Sequence, residues 1–155
     1  MAVALFEPEH WKTRMWEVFL YNPAPGVLYT RMIGYADLGC ARHAMRGFDQ
    51  VALTADLVDA FHDWDLVTGY TADVRREYTA WSAGHQDRLS SINVLFRSRL
   101  VAMGVSVFNA ALGGIVTAYD NRSDFERRRA EVIWRRRQEA DMPPPSSSAG
   151  WRRGG

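Results

Sequence analysis

Three pairs of residues in this chain have types and spacings found in metal sites. The pairs are Glu7 with His10, Asp59 with His62, and Cys40 with His43. An acid-x-x-His pair projects to one side of a helix, but a di-iron bundle needs two Glu-x-x-His motifs and two further Glu. A zinc site likewise needs a second pair of ligands. The sequence supplies neither set, so we interpret these residues as ordinary polar side chains and predict no metal and no cofactor.

Signatures of nucleophilic catalysis and of phosphate binding are missing from the sequence. There is no G-x-S-x-G, no Walker A loop and no G-x-G-x-x-G. The pair Gly113-Gly114 is too isolated to cradle a phosphate. The sequence therefore predicts a protein that is not an enzyme and has no catalytic residues.

Two arginine clusters, separated by about one or two helical turns, are the candidates for binding an anionic partner. With the tryptophan between them, the residues are Arg127, Arg128, Arg129, Trp134, Arg135, Arg136 and Arg137. Guanidinium groups suit anionic lipid headgroups and nucleic-acid phosphates. A surface for lipid or a protein partner is the first expectation, a solvated helix face the second, and RNA binding the third.

The stretch 100–119 contains no charged residue. A helix that is apolar on every face belongs in lipid or in the centre of a bundle, and about 20 residues suffice to span a bilayer. We predict a helix-packing interface within it at Gly104, Asn109, Gly113 and Gly114, because small residues permit close contact and a buried amide needs a partner. The arginines that follow place the C-terminus on the cytoplasmic or matrix side.

The spacing of apolar residues elsewhere predicts helices over residues 7–20, 27–47, 50–65 and 71–82, and no persistent strand alternation. Ser123 and Glu126 form a capping-box signature that opens a basic helix. The predicted fold class is all-α, with several short amphipathic helices, one long apolar helix, a basic C-terminal helix and a disordered tail.

Charge and composition divide the chain into four predicted regions. Residues 1–73 carry a net charge of −5, and residues 74–155 carry +6. The regions are an acidic helical part (1–86), a long apolar helix that is a candidate membrane span (87–120), an Arg-rich amphipathic helix (121–142) and a Pro/Ser/Gly tail (143–155). With 47% hydrophobic residues and a single cysteine, full disorder and a disulfide framework are excluded.

These features favour a non-catalytic accessory or structural subunit of a multi-protein membrane complex, such as an energy-converting (respiratory-type) one. Its partners would be other protein subunits and anionic lipid, with nucleic acid ranked below them. It would be a single-pass protein of the mitochondrial inner membrane or the bacterial cytoplasmic membrane. Two alternatives stay open: a soluble helical structural or interaction protein of a large assembly, and an RNA-associated protein that uses the Arg-rich C-terminus.

Overall fold

A six-stranded mixed sheet organises the chain, which we describe from a computed structural model covering residues 4–142. The strands are β1 (Glu9–Lys12), β2 (Trp16–Ala24), β3 (Val27–Ala36), β4 (Val58–Tyr70), β5 (Leu89–Phe96) and β6 (Val116–Tyr119). The helices are α1 (Leu38–Ala52), α2 (Ala72–Gly84), α3 (Arg99–Ala111) and α4 (Arg122–Asp141), with one turn of 3-10 helix at Gln86–Arg88. The fold is therefore α/β.

The strands lie in the sheet in the order in which they occur along the chain. Strands β1, β2 and β3 are antiparallel neighbours, whereas β3, β4, β5 and β6 are parallel. Parallel neighbours need crossover connections, which are right-handed, so successive crossovers in one direction place α1, α2 and α3 on one face of the sheet. Helix α4 follows the last strand and packs on the opposite face, where Phe125 and Val132 are buried.

The prediction of an all-α fold is wrong, and β2 shows why. Trp16, Val18 and Leu20 are buried beneath the helices, while Phe19 and Tyr21 point to the other face and are half-buried. A strand shows a period of two only when one of its faces is polar. Because both faces of β2 are rich in apolar and aromatic side chains, the alternation is hidden, and the segment resembles an amphipathic helix.

The helix predicted over residues 50–65 is also wrong. Helix α1 ends at Ala52, and the rest of that range enters β4. In a helix over this range, Asp59 and Asp63 would lie on the face opposite the apolar stripe. Instead, Asp59 and Asp63 are each 2% exposed, because arginines of α4 neutralise them.

The stretch 100–119 is not one helix. Helix α3 ends at Ala111, and the chain turns through Gly113 and Gly114, whose φ angles of 68° and 87° favour glycine, before β6 begins. Among residues 4–142, no helix combines the length and the apolar character that crossing a membrane requires. The predicted single-pass span is therefore wrong, together with the membrane-complex subunit function, the two membrane locations and the orientation that depended on it.

The alternative hypothesis, in which this stretch belongs to a protein core, agrees better with the structure. Val101, Val105 and Phe108 of α3 are buried in the main hydrophobic cluster, which also contains residues of the sheet, α1 and α2. The core, however, is formed between helices and a sheet rather than within a helical bundle.

The basic C-terminal helix, α4, lies within the predicted range 121–142. Its N-cap is Asn121, whose side chain accepts a hydrogen bond from the Asp124 backbone N–H, and not Ser123. The predicted boundary at residue 86 falls in the 3-10 turn that leads from α2 into β5 of the same sheet. The predicted tail, 143–155, lies outside the described residues.

Candidate functional site

A cavity opens between α2 and α3 above the carboxyl-terminal halves of β3 and β4. The space free of protein atoms, counted with its mouth, is about 600 Å³. Its sheet side includes Met32 and Trp64, and the helices contribute Tyr78, Val105 and Phe108. The part of this space that the centre of a water molecule can occupy is about 70 Å³. Ligand pockets in proteins are likewise concave and mostly apolar.

Small residues keep the cavity open where larger ones would fill it. Ala36 and Ala41 line it, and Gly104 lies where α3 crosses Tyr70. A Cβ at Gly104 would collide with the hydroxyl of Tyr70, which donates a hydrogen bond to the Leu100 carbonyl at 3.3 Å. The missing side chain thus lets α3 approach β4 while the cavity beside it stays unfilled.

Two polar side chains of α2 border the cavity. Arg75 is exposed and lines the cavity, so it lies at the mouth, and it forms no ion pair within residues 4–142. Thr79, one turn later, donates its hydroxyl to the Arg75 carbonyl at 2.7 Å. On the sheet side, the indole N–H of Trp64 has no hydrogen-bond partner in the described part of the chain. The site therefore combines an apolar interior with a cation at its entrance.

A buried polar network forms the wall behind the cavity. Nδ1 of His62 lies 2.6 Å from the hydroxyl of Thr30, and Nε2 lies 3.0 Å from the hydroxyl of Tyr78. Burial lowers the pKa of His62 to about 4 and raises the pKa of Tyr78. At neutral pH, His62 is therefore uncharged, with both ring nitrogens engaged. The network holds the Tyr78 ring against the cavity.

The four residues predicted to form a helix-packing interface lie at α3 and the turn after it. Gly104 packs on Tyr70 of the same chain. The side-chain oxygen of Asn109 accepts the Val116 backbone N–H at 3.0 Å, so the start of β6 supplies the partner its amide needs. Gly113 and Gly114 form the turn between α3 and β6. Contact of these residues with a second protein stays a prediction.

Three arginines of the predicted anion-binding clusters contact side chains of the sheet. Arg136 donates from Nε to Asp59 at 3.0 Å, and Arg135 lies 3.6 Å from the same carboxylate. The guanidinium of Arg129 lies over the ring of Tyr29, 4.1 Å from its centroid. These contacts attach α4 to the sheet.

The other members of the clusters are exposed and contact no side chain of the sheet. Arg137 donates to the Pro23 carbonyl at 2.9 Å, Arg127 to Asp124 at 2.7 Å and Arg128 to Glu131 at 3.4 Å. The side chain of Trp134 is exposed. Binding of lipid, protein or nucleic acid by these residues stays a prediction.

The three pairs with metal-like spacing do not converge. Asp59 and His62 are three residues apart on a strand, so they face opposite sides of the sheet. His10 contacts Glu17 of β2 at 2.6 Å, and His43 stacks on Trp11 at 4.1 Å between ring centroids. No group of three or more His, Cys, Asp or Glu within residues 4–142 could hold a metal ion.

Sequence reasoning missed the cavity because its lining comes from five elements that span residues 32–108. No local pattern marks such a site, since its members are ordinary core residues: alanines, valines and aromatics. The closest signal was the apolar stretch 100–119, whose first half supplies Val101, Gly104, Val105 and Phe108 to the lining.

Comparison with known proteins identifies the fold and nothing finer. No protein-family model and no curated protein matches this chain. Among solved structures, an uncharacterized protein of the DUF3478 family from Shewanella loihica PV-4, described as having a SpoIIAA-like fold, is similar with a TM-score of 0.51. The identity is 11%, and the match covers 82% of this chain and 96% of that one. This likeness shows that the chain has a SpoIIAA-like α/β fold.

Proposed function

We propose that this protein binds a small amphipathic molecule, with the apolar part in the cavity between α2 and α3 and an anionic group at Arg75. The observation that supports the proposal is the cavity itself, which opens to solvent. Well-packed protein cores leave few voids larger than a water molecule. Apolar surface removed from water on both partners favours binding by about 25 cal/mol per Å².

The cation at the mouth supports an anionic head group. Arg75 has no carboxylate partner in the described residues, and the hydroxyl of Thr79 lies one helical turn away. A carboxylate at the solvent edge can accept from the guanidinium while staying partly hydrated. An unbranched fatty acid of medium length has the required division between an apolar chain and a single anionic end.

We further propose that the ligand is held without chemical change. The polar groups that border the cavity are a guanidinium, hydroxyls and the indole N–H of Trp64. The histidine nearest to it, His62, is fully buried and hydrogen-bonded on both nitrogens, so it offers no free base to a ligand. Binding followed by release of the same molecule is the function that this arrangement favours.

Calorimetric titration with decanoate tests the proposal. Val105→Phe places a ring in the cavity and is expected to weaken binding at least about tenfold. The matched control, Met103→Phe, adds the same ring on the exposed side of α3 and should bind like wild type. Far-UV circular dichroism checks folding, and Ala41→Leu, a smaller filling change, replaces Val105→Phe if that variant unfolds. Equal affinity of the cavity-filled variant and wild type would disprove binding in this cavity.

A second comparison tests the head group. Arg75→Gln should weaken decanoate binding by about threefold, the effect expected of one partly exposed ion pair, and leave decanol binding unchanged. Arg76→Gln, at the next position of α2 but not in the cavity lining, is the control. Mass spectrometry of the ligand recovered after incubation should return the molecule that was added, and a new product would contradict the non-catalytic proposal.

A further inference from the structure

The two edge strands of the sheet differ in their protection against pairing with a further strand. Natural edge strands commonly carry charged residues, proline or a bulge, because their unpaired N–H and C=O groups would otherwise bind another chain. At one edge, β1 contains Glu9 and Lys12 and follows Pro8. At the other edge, β6 has the sequence VTAY, with no charge, no proline and no register shift against β5. Both strands are four residues long, so only β6 lacks these protective features.

The register of β6 identifies the backbone groups that point away from the sheet. The Ile92 N–H of β5 donates to the Ile115 carbonyl. Because alternate residues of a parallel strand bond to the same neighbour, every second residue from Ile115 onward bonds to β5. The residues between them direct their N–H and C=O groups outward: Val116, Ala118 and Asp120.

One of these outward groups already has a partner. The Val116 N–H donates to the side-chain oxygen of Asn109 at 3.0 Å. The Val116 carbonyl, both backbone groups of Ala118 and the Asp120 N–H have no hydrogen-bond partner among residues 4–142. Thr117 and Ala118 are exposed, so another chain can reach this edge.

We propose that β6 pairs with β6 of a second copy of this chain, antiparallel about a two-fold axis at Ala118. In this register the two Ala118 residues bond to each other through both N–H and C=O groups, and each Asp120 N–H donates to the Val116 carbonyl of the other copy. The free groups are thus arranged symmetrically around Ala118, as a two-fold interface requires. This symmetry favours a second copy over an unrelated strand.

The helices on both faces of the sheet are compatible with such a pair. Asn109 holds α3 beside this edge, and none of residues 100–111 is charged. A two-fold axis perpendicular to the sheet places α3 of both copies on the same face, where uncharged side chains do not repel each other. On the other face, Arg128 and Glu131 lie near the end of β6 and pair with each other at 3.4 Å.

The proposed dimer is independent of the ligand proposed for the cavity. The cavity is lined by residues of β3, β4 and the first three helices, and by none of β6. Pairing at β6 therefore leaves the mouth at Arg75 free, and loss of either activity does not imply loss of the other.

Sedimentation equilibrium of the full chain, from micromolar to near-millimolar concentration, tests the proposal. Ala118→Pro removes an N–H that bonds across the axis but no bond to β5, since proline is tolerated on an edge strand, and should weaken the dimer at least about tenfold. Ala118→Asp places two carboxylates opposite each other and should weaken it as well. Leu53→Asp is the matched control, because it adds the same charge after α1 at a position that is 84% exposed.

Cysteine cross-linking tests the register. Opposed residues of a hydrogen-bonded antiparallel pair have Cα atoms about 5.5 Å apart, a distance that a disulfide spans. Ala118→Cys should therefore form a disulfide-linked dimer on oxidation. Thr117→Cys should form far less, because the two Thr117 positions are diagonal neighbours, about 7–8 Å apart. The native Cys40 is buried and does not interfere.

A wild-type dimer that both Ala118 variants weaken and Leu53→Asp keeps supports the proposal. A wild-type protein that is monomeric at every concentration would overturn it. A dimer that neither Ala118→Pro nor Ala118→Asp weakens would show that another surface holds the copies together, and β6 pairing would be rejected. Cross-linking that is stronger at Thr117 than at Ala118 would reject the register. Circular dichroism verifies folding, and Ala118→Asp decides if the proline variant unfolds.

Discussion

Arg136 of α4 and Asp59 of β4 form a buried ion pair between residues 77 positions apart in the chain, with Nε 3.0 Å from Oδ2. The Asp59 carboxylate also accepts from the Ser91 hydroxyl at 2.6 Å. The same guanidinium donates to the Leu57 carbonyl at 2.8 Å, so it links the helix both to the side chain and to the backbone of the strand region. This contact holds α4 on the sheet.

Breaking that pair should be costly. Arg136→Gln leaves the Asp59 carboxylate, 2% exposed, with a weaker set of partners, and we expect a loss of about 3 kcal/mol in the free energy of unfolding, measured by urea denaturation. The double variant Asp59→Asn/Arg136→Gln should lose less than the sum of the two single variants, since the stranded charge is gone.

An exposed pair on the same helix is the control for this experiment. Arg127→Gln removes a contact with Asp124, where both side chains are more than half exposed, and should change stability by less than about 1 kcal/mol. If the two arginine variants were equally stable, Arg136 would not hold α4 to the sheet.

Stability should depend on pH through His62. Its pKa is about 4 in the folded protein against 6.5 for an ordinary histidine, so the unfolded chain binds the proton more readily. The contribution of the uncharged His62 side chain to the free energy of unfolding is complete above pH 6.5 and is lost as the pH falls toward 4. Its maximum is about 3 kcal/mol. Urea midpoints measured across this range should fall for wild type and fall less for His62→Gln.

Tyr78→Phe provides the comparison for the pH series. It removes the hydroxyl that contacts Nε2 of His62 but keeps the buried imidazole, so its stability is lower at every pH and still falls with acid. Identical pH slopes for wild type and His62→Gln would refute the assignment of this dependence to His62.

Asn109 should stabilise the folded protein through one hydrogen bond. Asn109→Leu deprives the Val116 N–H of its side-chain acceptor, and we expect a loss of about 1–2 kcal/mol in thermal or urea unfolding. Asn109→Asp keeps an oxygen at the same place and should lose less, in spite of its charge near a helix C-terminus. A leucine variant as stable as wild type would mean that this bond does not secure the start of β6.

Substitution by alanine should change the stability of the protein in opposite directions at two glycines, Gly114 and Gly84. Gly114 has a φ of 87°, which alanine adopts only at a cost of about 1 kcal/mol, so Gly114→Ala should destabilise the α3–β6 turn. Gly84 is helical, and an added methyl group there would meet no other atom within 4 Å, so Gly84→Ala should stabilise the protein by about 0.5–1 kcal/mol. Differential scanning calorimetry of the two variants compares them directly, and equal shifts in Tm would contradict this explanation.

Features that depend on neighbours close in the chain could be predicted from the residues alone. Helix α4 contains no glycine or proline and has arginine–acid pairs three and four residues apart, which act within one or two turns. Its cap, however, is Asn121 and not the Ser123 that the capping-box pattern predicted. The left-handed turn at Gly113 and Gly114 is also a local property of the backbone, but the apolar character of the stretch predicted a helix through both glycines, which is wrong. That the protein is not an enzyme stays a prediction, and only a measurement of activity tests it.

The assignment of β2, β3 and β4 as strands, and with it the α/β class, required the three-dimensional fold. In the sequence alone, Asp59 and Asp63 predict a solvent-facing surface. In the fold, Arg136 and Arg122, which lie 77 and 59 residues away along the chain, neutralise these two carboxylates. Phe19 and Tyr21 conceal the period of β2 because they cover a second face of the sheet. Contacts between segments far apart in the chain determine the burial of each of these side chains. The hydrophobic periodicity of one segment contains no information about the charges and surfaces of the segments that pack against it.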